Sequence, residues 1–340
     1  MSDFTKRFER QTRFHELGAA GQARLSDARV LVVGCGALGG ALAQSLTRSG
    51  VGELVLIDRD VVEESNLPRQ VLFEERHARE GTEKVEAARE TLARIGGPTR
   101  IETHAAHLDA DNIEELARGT HLVVDGTDNL QTRYLINDYS VQRAVPWIYG
   151  GVVGSSGLVF PVLPGQGPCL ACLFPEPPPA GVLPTCETAG VIQPAVAAVA
   201  ALQAGLALRI LVDAASLEPK LIDIDAWEGR VREVRVERDA SCRCCGARDF
   251  RFLNEPVAIR AVSLCGRNTV QVRGSRTKPD LARIAQSLDG VARDVKHYGA
   301  ILRFAVDSER YTLFADGRAL IEGTNDLERA LALYDRYVGS

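Results

Sequence analysis

Residues 28–40 read ARVLVVGCGALGG, an apolar run followed at once by a glycine-rich segment. The apolar run, residues 28–34, has the composition of a short strand covered on both faces. The segment after it places Gly34, Gly36 and Gly39 in the spacing G-x-G-x-x-G, before a helical stretch over residues 40–49. Glycine at such a turn lets a phosphate approach the backbone N–H groups at the helix N-terminus. The stretch therefore predicts a nucleotide-binding α/β fold.

An acidic residue at the end of the next apolar run supports this prediction. Residues 53–58 (ELVLID) form a second predicted strand, and Asp58 lies 22 residues after Gly36. A carboxylate at this position typically accepts the ribose hydroxyl groups of a bound nucleotide. The alternative is that the glycines only allow the helix and the strand to pack closely.

The first half of the chain alternates predicted strands and helices, which indicates a doubly wound, mostly parallel sheet with right-handed crossovers. The elements beyond residue 58 are helices at 84–95, 112–118 and 131–143 and strands at 100–108, 121–125 and 146–150. Antiparallel strands are predicted within 151–167 and 220–238. We therefore expect a nucleotide-binding domain at 1–250 and a small α+β domain at 251–340. The elements expected in the small domain are strands at 269–272, 301–306, 311–315 and 319–322 and helices at 280–288 and 326–337.

The charge and the apolar segments of the sequence disfavour several classes of protein. Forty basic and 45 acidic side chains give a net charge of −5 over 340 residues, which disfavours binding to nucleic acid or to an anionic membrane. Residues 191–208 carry no charge, but two glutamines, a proline and many alanines predict a buried helix and not a membrane span. The charged first residues lack the apolar core of a secretory signal, so we expect a cytoplasmic protein with reduced thiols.

Charged and polar residues follow several of the predicted strands. The carboxyl ends of parallel strands meet at one crevice, where these side chains would face the nucleotide: Asp58, Asn66, Arg69, Lys84 and Asp128. Two cations suit a triphosphate, and a carboxylate suits its Mg²⁺ ion. Each residue alone is also compatible with a solvated surface, but the set favours phosphoryl or nucleotidyl transfer over hydride transfer.

Two C-x-x-C pairs, Cys169/Cys172 and Cys242/Cys245, indicate a tetrahedral Zn²⁺ site. Four thiolates leave no open coordination position, so we assign the site a structural role. Cys244 is an alternative to Cys242, although the spacing favours Cys242, and a redox dithiol is the competing interpretation. Cys186 stands apart, at the end of the proline-rich residues 174–190 and just before a predicted helix. A helix N-terminus lowers the pKa of a thiol, so Cys186 is either a nucleophile or a small, partly buried side chain.

Together these motifs resemble the ThiF/MoeB/HesA family, relatives of the ubiquitin-activating enzymes. The resemblance covers about residues 5–250 and follows the family order. The motifs that carry it are residues 7–11 (RFERQ), the glycine loop, Asp58-x-Asp60, residues 65–70 (SNLPRQ), Lys84, residues 125–129 (DGTDN), residues 132–137 (TRYLIN) and the two cysteine pairs. The family uses ATP and Mg²⁺, as homodimers, to adenylate the C-terminal glycine of a small ubiquitin-like sulfur carrier.

The resemblance implies roles for individual residues. Asp58 would hold the ribose, and Asp128 would coordinate Mg²⁺ as the strongest catalytic candidate. Arg10 matches an arginine that reaches the triphosphate of the other subunit, and Cys186 matches a cysteine that in some members joins covalently to the carrier or its sulfur. Asn66, Arg69 and Lys84 would hold the phosphates. The complete expected nucleotide site is Gly34, Gly36, Ala37, Gly39, Asp58, Asp60, Ser65, Asn66, Arg69, Lys84, Asp128 and Asn129, and the Zn²⁺ ligands are Cys169, Cys172, Cys242 and Cys245.

The resemblance thus predicts an adenylyltransferase that activates a ThiS/MoaD-like carrier for thiocarboxylate formation, with a cysteine desulfurase as sulfur donor. Ala37 departs from the family, which usually has glycine there, and its methyl group puts the phosphate contact at that position in doubt. The C-terminal extension favours the ThiF type and thiamine synthesis over molybdopterin synthesis. The alternatives are an NAD-dependent oxidoreductase that uses the same glycine loop and a binding module without catalysis.

Overall fold

A computed structural model describes residues 6–177, 189–254, 261–264, 268–273, 279–299 and 301–338. The described residues form two compact units, one that ends at Asn254 and one that begins at Ala261. Each unit has a hydrophobic core of its own. The domain boundary at residue 250 stays a prediction.

An eight-stranded sheet forms the centre of the first unit, with the strand order β3-β2-β1-β4-β5-β6-β7-β8. Its first five strands in chain order pair in parallel, and the last three continue the sheet antiparallel. This arrangement confirms the predicted doubly wound fold and its antiparallel extension. The strands are β1 (Arg29–Val33), β2 (Glu53–Ile57), β3 (Arg100–His104), β4 (Leu122–Asp125), β5 (Trp147–Val153), β6 (Ser156–Val162), β7 (Lys220–Asp225) and β8 (Arg230–Arg235).

Helices cover both faces of this sheet, because its central strands are apolar on both sides. The helices are α1 (Glu9–Thr12), α2 (Gly18–Asp27), α3 (Ala37–Ser49), α4 (Glu75–Glu80), α5 (Lys84–Ile95), α6 (Ile113–Leu116), α7 (Leu130–Arg143), α8 (Leu170–Leu173), α9 (Gln193–Asp213) and α10 (Arg251–Asn254). One core packs α3, α5 and α9 against the sheet, and the other packs α6, α7 and α8 against the opposite face. Helix α3 begins three residues earlier than predicted, because the first helical turn includes the glycine loop itself.

Helix α9 is only partly buried, so the prediction of a buried helix is wrong for one of its faces. The segment Gln193–Ser216 is long and apolar enough to cross a membrane by length and composition, and 44% of its most apolar window is buried in the protein. The buried face packs against α3 and β5. The opposite face exposes Ala197, Ala201 and Gly205, which follow one another at four-residue intervals.

The second unit is a six-stranded antiparallel sheet with two helices, as expected for a small α+β domain. Its strand order is β11-β12-β13-β14-β10-β9. Two of the strands, β9 and β11, were not predicted; β11 is exposed and polar, and it lacks the alternation that identifies a strand. The elements are β9 (Ala261–Leu264), β10 (Thr269–Arg273), α11 (Leu281–Ser287), β11 (Arg293–Tyr298), β12 (Ile301–Val306), β13 (Glu309–Phe314), β14 (Arg318–Glu322) and α12 (Leu327–Tyr337).

Candidate active site

The three glycines of the loop between β1 and α3 serve two purposes. Gly34 has a φ of +86°, and a Cβ atom there would lie 2.8 Å from the carbonyl oxygen of Gly126. A Cβ atom at Gly39 would lie 1.7 Å from the carbonyl oxygen of Gly34. These two glycines therefore allow the loop to pack against the segment after β4, as the alternative interpretation held.

Gly36 faces open space. Of the residues that the structure describes, a Cβ atom there would meet only Gln70, whose Nε2 atom would lie at 3.8 Å. Gly36 is also the N-cap residue of α3, and no side chain caps this helix end. The backbone N–H groups in the first turn of a helix lack partners within the helix. Gly36 therefore leaves the N-terminus of α3 open to an anionic group.

Asp58 follows β2 and lies beside this loop, as predicted. Its Oδ2 atom accepts a hydrogen bond from the backbone N–H of Cys35 (2.7 Å), and its Oδ1 atom accepts one from Asp60 (2.8 Å). Burial raises the pKa of Asp58 above its usual value, against the opposing effect of the Lys84 cation. The two backbone contacts fix the carboxylate at the edge of the glycine loop.

Lys84 begins α5 and forms an ion pair with Asp60. Its Nζ atom lies 2.9 Å from Asp60 Oδ2, and its backbone N–H donates to the carbonyl oxygen of Asp60. Burial alone would lower the pKa of Lys84, but the negative charges of Asp60, Asp58 and Asp128 outweigh it and raise the pKa. Lys84 is thus a permanent cation next to the glycine loop.

Asn66 and Arg69 lie on a short 3-10 turn, Glu64–Asn66, and its continuation. Asn66 is buried, and its Oδ1 atom accepts a hydrogen bond from the backbone N–H of Glu63 (3.1 Å). Arg69 Nη1 donates to the carbonyl oxygen of Ser65 (2.7 Å), and Arg69 forms no ion pair with any described residue. The guanidinium charge is therefore available to an anionic ligand.

Asp128 and Asn129 lie in the loop between β4 and α7. Asp128 is exposed and accepts no hydrogen bond within the described part of the chain. It is nevertheless close enough to Lys84 and Arg133 for its charge to raise the pKa of both. Asn129 was expected in the nucleotide site, and here its Oδ1 atom caps α7 by accepting from the backbone N–H of Thr132 (3.2 Å). The loop thus holds one carboxylate that is free to bind a ligand.

A buried ion pair that the sequence analysis missed supports this loop. Arg133 Nε lies 2.8 Å from Asp125 Oδ2, and both side chains are buried. Arg133 Nη2 also donates to the carbonyl oxygens of Thr127 (2.6 Å) and Gly150 (2.7 Å). The pair holds the backbone directly before Asp128 against the middle of β5. The only sequence signal was the acidic residue that ends β4 and the arginine in the first turn of the next helix.

The four predicted Zn²⁺ ligands come together from distant parts of the chain. The sulfur atoms of Cys169, Cys172, Cys242 and Cys245 lie within 4.8 Å of one another, with neighbouring pairs at 3.4–4.0 Å. A tetrahedral Zn²⁺ with Zn–S bonds of about 2.3 Å requires sulfurs about 3.8 Å apart, so the cluster fits the ion. The thiol of Cys244 instead accepts a hydrogen bond from Asn137 Nδ2 (3.3 Å). The geometry therefore favours Cys242 over Cys244.

Arg10 is not part of the cluster around the glycine loop. Helix α1, which carries Arg10, packs at the C-terminal end of α3, where Gln11 Nε2 donates to the carbonyl oxygen of Ser49 (2.9 Å). The glycine loop is at the opposite end of α3, about 20 Å away for 13 residues. Arg10 is exposed and lies far from the glycine loop of its own chain. Cys186 lies outside the described residues, as does most of the proline-rich segment.

The fold and the site define a nucleotide-binding protein with a doubly wound sheet and a four-cysteine cluster that fits a metal ion. The ThiF family matches residues 8–244, and the chain belongs to this family. The chain is 42% identical, over 98% of its length and 100% of the relative's, to sulfur carrier protein ThiS adenylyltransferase of Bacillus subtilis. It is 39% identical, over 71% of its length and 90% of the relative's, to a sulfur carrier protein adenylyltransferase of Thermus thermophilus.

A solved structure also resembles the chain. The crystal structure of E. coli MccB with ATP has a TM-score of 0.61 and 25% identity, and the match covers 71% of this chain and 74% of that one. The family assignment confirms the resemblance seen in the motifs.

Proposed function

We propose that the protein is a sulfur carrier protein adenylyltransferase. It would use ATP to adenylate the C-terminal glycine of a small ubiquitin-like carrier and release pyrophosphate. The observation that carries this proposal is the 42% identity to ThiS adenylyltransferase over nearly the whole of both chains, the C-terminal unit included. That extent favours a ThiS-like carrier and a role in thiamine synthesis over a MoaD-like carrier.

The site geometry supports binding of ATP at the carboxyl ends of β1, β2 and β4. A phosphate would lie over Gly36, at the open N-terminus of α3. The carboxylate of Asp58 would accept the ribose hydroxyls beside the loop. The cations Lys84 and Arg69 would lie along the triphosphate. Asp128, an exposed carboxylate with no hydrogen bond in the described chain, suits Mg²⁺, which would neutralise phosphate charge when bound.

The reaction needs positioning and charge stabilisation more than proton transfer. The carrier carboxylate attacks the α-phosphorus in line, the bond to pyrophosphate breaks, and an acyl-adenylate forms. The carboxylate is already ionised at neutral pH, so no general base is required. Lys84 and Arg69 stabilise the negative charge that develops on the leaving pyrophosphate. A persulfide formed by a cysteine desulfurase would then attack the acyl carbon and displace AMP, which gives an acyl disulfide. A thiol would cleave its S–S bond, so that a new disulfide and the thiocarboxylate form; we keep Cys186 as a candidate for a covalent intermediate.

The proposal includes a homodimer. Arg10 lies on α1, which packs at the end of the roughly 20 Å long α3 opposite to the glycine loop, so it would reach a triphosphate in the partner subunit and not in its own chain. The exposed face of α9, with Ala197, Ala201 and Gly205, is apolar and shaped for close approach of another helix. We also place the enzyme in the cytoplasm, where ATP and reduced thiols are available.

The oxidoreductase alternative uses the same loop and Asp58 for NAD. It gives no role to Lys84, Arg69 and Asp128, and none of the similar proteins described above is named as a dehydrogenase. A thermal shift with ATP·Mg²⁺ and not with NAD is expected for the adenylyltransferase.

The test is carrier-dependent exchange between ATP and pyrophosphate, with detection of the carrier–AMP adduct by intact mass. We expect both signals with a ThiS-like carrier and wild-type protein. Asp128→Ala is expected to lower exchange about 100-fold or more, because it removes the Mg²⁺ ligand. Asp111→Ala, which removes another exposed carboxylate, is the matched control and keeps the wild-type rate. Near wild-type exchange in Asp128→Ala would refute the role of Asp128, and no adduct with any carrier would refute the function.

A further inference from the structure

One polar side chain lies on the buried face of α9. Apart from Gln203, the buried residues of this helix are alanine, valine and isoleucine, and Gln203 itself is 0% exposed. Burial of an amide is unfavourable unless hydrogen bonds within the protein replace those to water. Gln203 Oε1 has no hydrogen-bond partner among the described residues, so only the Nε2 atom offsets this penalty. An apolar side chain of similar size would pack here without it, and packing alone therefore does not explain the amide.

The amide of Gln203 contacts the sheet at the point where β4 and β5 separate. The parallel pairing of these strands ends at Val124 and Ile148. Beyond that pair, the N–H of Gly150 donates to the side chain of Asp125 (Oδ2, 3.3 Å). Gln203 Nε2 donates to the carbonyl oxygen of Asp125 (2.9 Å). The side-chain amide thus supplies a donor to β4 directly after its last backbone pair with β5.

The absence of a side chain at Gly150 makes room for this contact. A Cβ atom built on Gly150 would lie 2.4 Å from Gln203 Nε2 and 2.5 Å from its Oε1. Gly150 lies within β5, in an extended backbone conformation that any residue can adopt. The close approach of the amide, and not the backbone conformation, is therefore what requires glycine at this position.

The peptide group between Asp125 and Gly126 is held on both sides and touches the glycine loop. Its carbonyl oxygen accepts from Gln203, and its N–H donates to the carbonyl oxygen of Val33, the last residue of β1 (2.8 Å). A Cβ atom built on Gly126 would lie 2.6 Å from the Cα atom of Gly39. Any movement of this peptide group would therefore also displace the loop.

The same peptide group begins the segment that carries Asp128. The carboxylate of Asp125 binds Arg133 (2.8 Å) and accepts from the N–H of Thr127 (2.8 Å), so the side chain of Asp125 fixes this segment on one side. Gln203 fixes the backbone of the same residue. A displacement of about 1 Å at a reacting group can lower a rate about 100-fold, so the alignment of Asp128 with the glycine loop depends on both contacts.

We infer that Gln203 is a positioning residue of the proposed active site: through the carbonyl group of Asp125, its amide holds the segment of Asp128 in place beside the glycine loop. The inference rests on the adenylyltransferase function. Gln203 is fully buried and contacts neither nucleotide nor carrier, so its effect falls on the rate and not on binding.

The test is steady-state kinetics of carrier-dependent exchange between ATP and pyrophosphate, on the full chain. Gln203→Met keeps the size of the side chain and removes the donor. We expect kcat to fall about tenfold or more, and the KM for ATP to change less than about twofold. Ser140→Ala is the matched control, because it removes another fully buried donor to a backbone carbonyl, that of Val145 before β5 (2.6 Å). It should keep the wild-type kcat.

Two further variants separate positioning from packing. Gln203→Ala leaves a cavity and should lower both the melting temperature and kcat. Addition of Gly150→Ala places a methyl group where the amide was. The melting temperature of the double variant should therefore rise again, whereas its kcat should stay about tenfold below that of the wild type. Recovery of kcat together with the melting temperature would show that the side chain only fills space, and would overturn the inference.

Wild-type kcat in Gln203→Met, a change in KM alone, or an equal loss of kcat in Ser140→Ala would also overturn it. If Gln203→Met does not fold, the double variant decides, and wild-type kcat there has the same consequence. The enzyme function fails separately. A wild-type chain that adenylates no carrier contradicts the function and the inference with it, whereas an active wild-type chain with an equally active Gln203→Met contradicts the inference alone.

Discussion

At the scale of single residues, the site contains two kinds of charged group. Some form an ion pair within the protein, and others have no such partner among the described residues and can bind a ligand. Lys84 forms an ion pair with Asp60. Arg69 forms no ion pair with the described residues, and Asp128 accepts no hydrogen bond from them. Paired groups keep their charge and position before the substrate arrives. Unpaired groups gain most from binding an anion or a cation.

The first residue prediction concerns Lys84. Lys84→Met removes a cation that three carboxylates surround, so we expect a loss of about 1–3 kcal/mol in the free energy of unfolding and a large loss of exchange activity. Because the pKa of Lys84 is raised above 10.5, its contribution to stability is fully present below that pH and is lost only as the pH rises further. Urea denaturation of both proteins between about pH 6 and pH 11 is the measurement. A stability difference that already disappears by about pH 8 would contradict the raised pKa.

The second residue prediction concerns the buried pair Arg133–Asp125. Arg133→Met leaves the Asp125 carboxylate buried and unpaired, which is expected to cost about 3–5 kcal/mol. Arg143→Met on the same helix breaks only an exposed pair with Glu114, so it should cost less than about 1 kcal/mol. Chemical denaturation measures both. Equal losses in the two variants would show that the buried pair does not stabilise the loop before Asp128.

At the scale of elements, the cysteine cluster joins α8 to the segment 242–245, which begins 70 residues after Cys172 in sequence. A metal ion bound there would stabilise the folded chain, because the four sulfurs come together only on folding. It would also fix the segment that follows β8 against α7 and α8, which is a structural role.

The prediction at this scale distinguishes Cys244 from the four predicted Zn²⁺ ligands. The wild-type protein should contain one Zn²⁺ per chain by elemental analysis, and Cys245→Ser should lose the ion and several degrees in melting temperature. Cys244→Ser is the matched control and should keep the ion, because Cys244 contacts Asn137. Loss of Zn²⁺ from Cys244→Ser together with its retention in Cys242→Ser would reverse the assignment.

At the scale of the whole molecule, the proposed active site would be completed by a second copy in the proposed homodimer. Helix α1, which carries Arg10, packs at the end of α3 opposite to the glycine loop of the same chain. A dimer that places α1 of one subunit near the loop of the other supplies the missing cation.

This arrangement predicts complementation. Arg10→Ala and Asp128→Ala homodimers should both be inactive in carrier-dependent exchange. When the two are unfolded and refolded together, half of the dimers are mixed, and each mixed dimer has one intact site, so about a quarter of wild-type activity should return. Activity in Arg10→Ala alone, or no recovery in the mixture, would contradict the action of Arg10 across the dimer.

The local sequence determined the sheet, the glycine loop, the position of Asp58 and the four cysteines. Strand patterns and short spacings carry this information, and the carboxyl ends of parallel strands must meet at one edge. The C-x-x-C spacing already favoured Cys242 over Cys244, and the tertiary structure supports that choice, because Cys242 lies in the four-sulfur cluster and the Cys244 thiol accepts a hydrogen bond from Asn137. Tertiary structure alone paired Arg133 with Asp125, left Gln70 Oε1 without a partner among the described residues and placed Arg10 far from the glycine loop of its own chain. These features depend on contacts between residues of different elements, which no local pattern encodes.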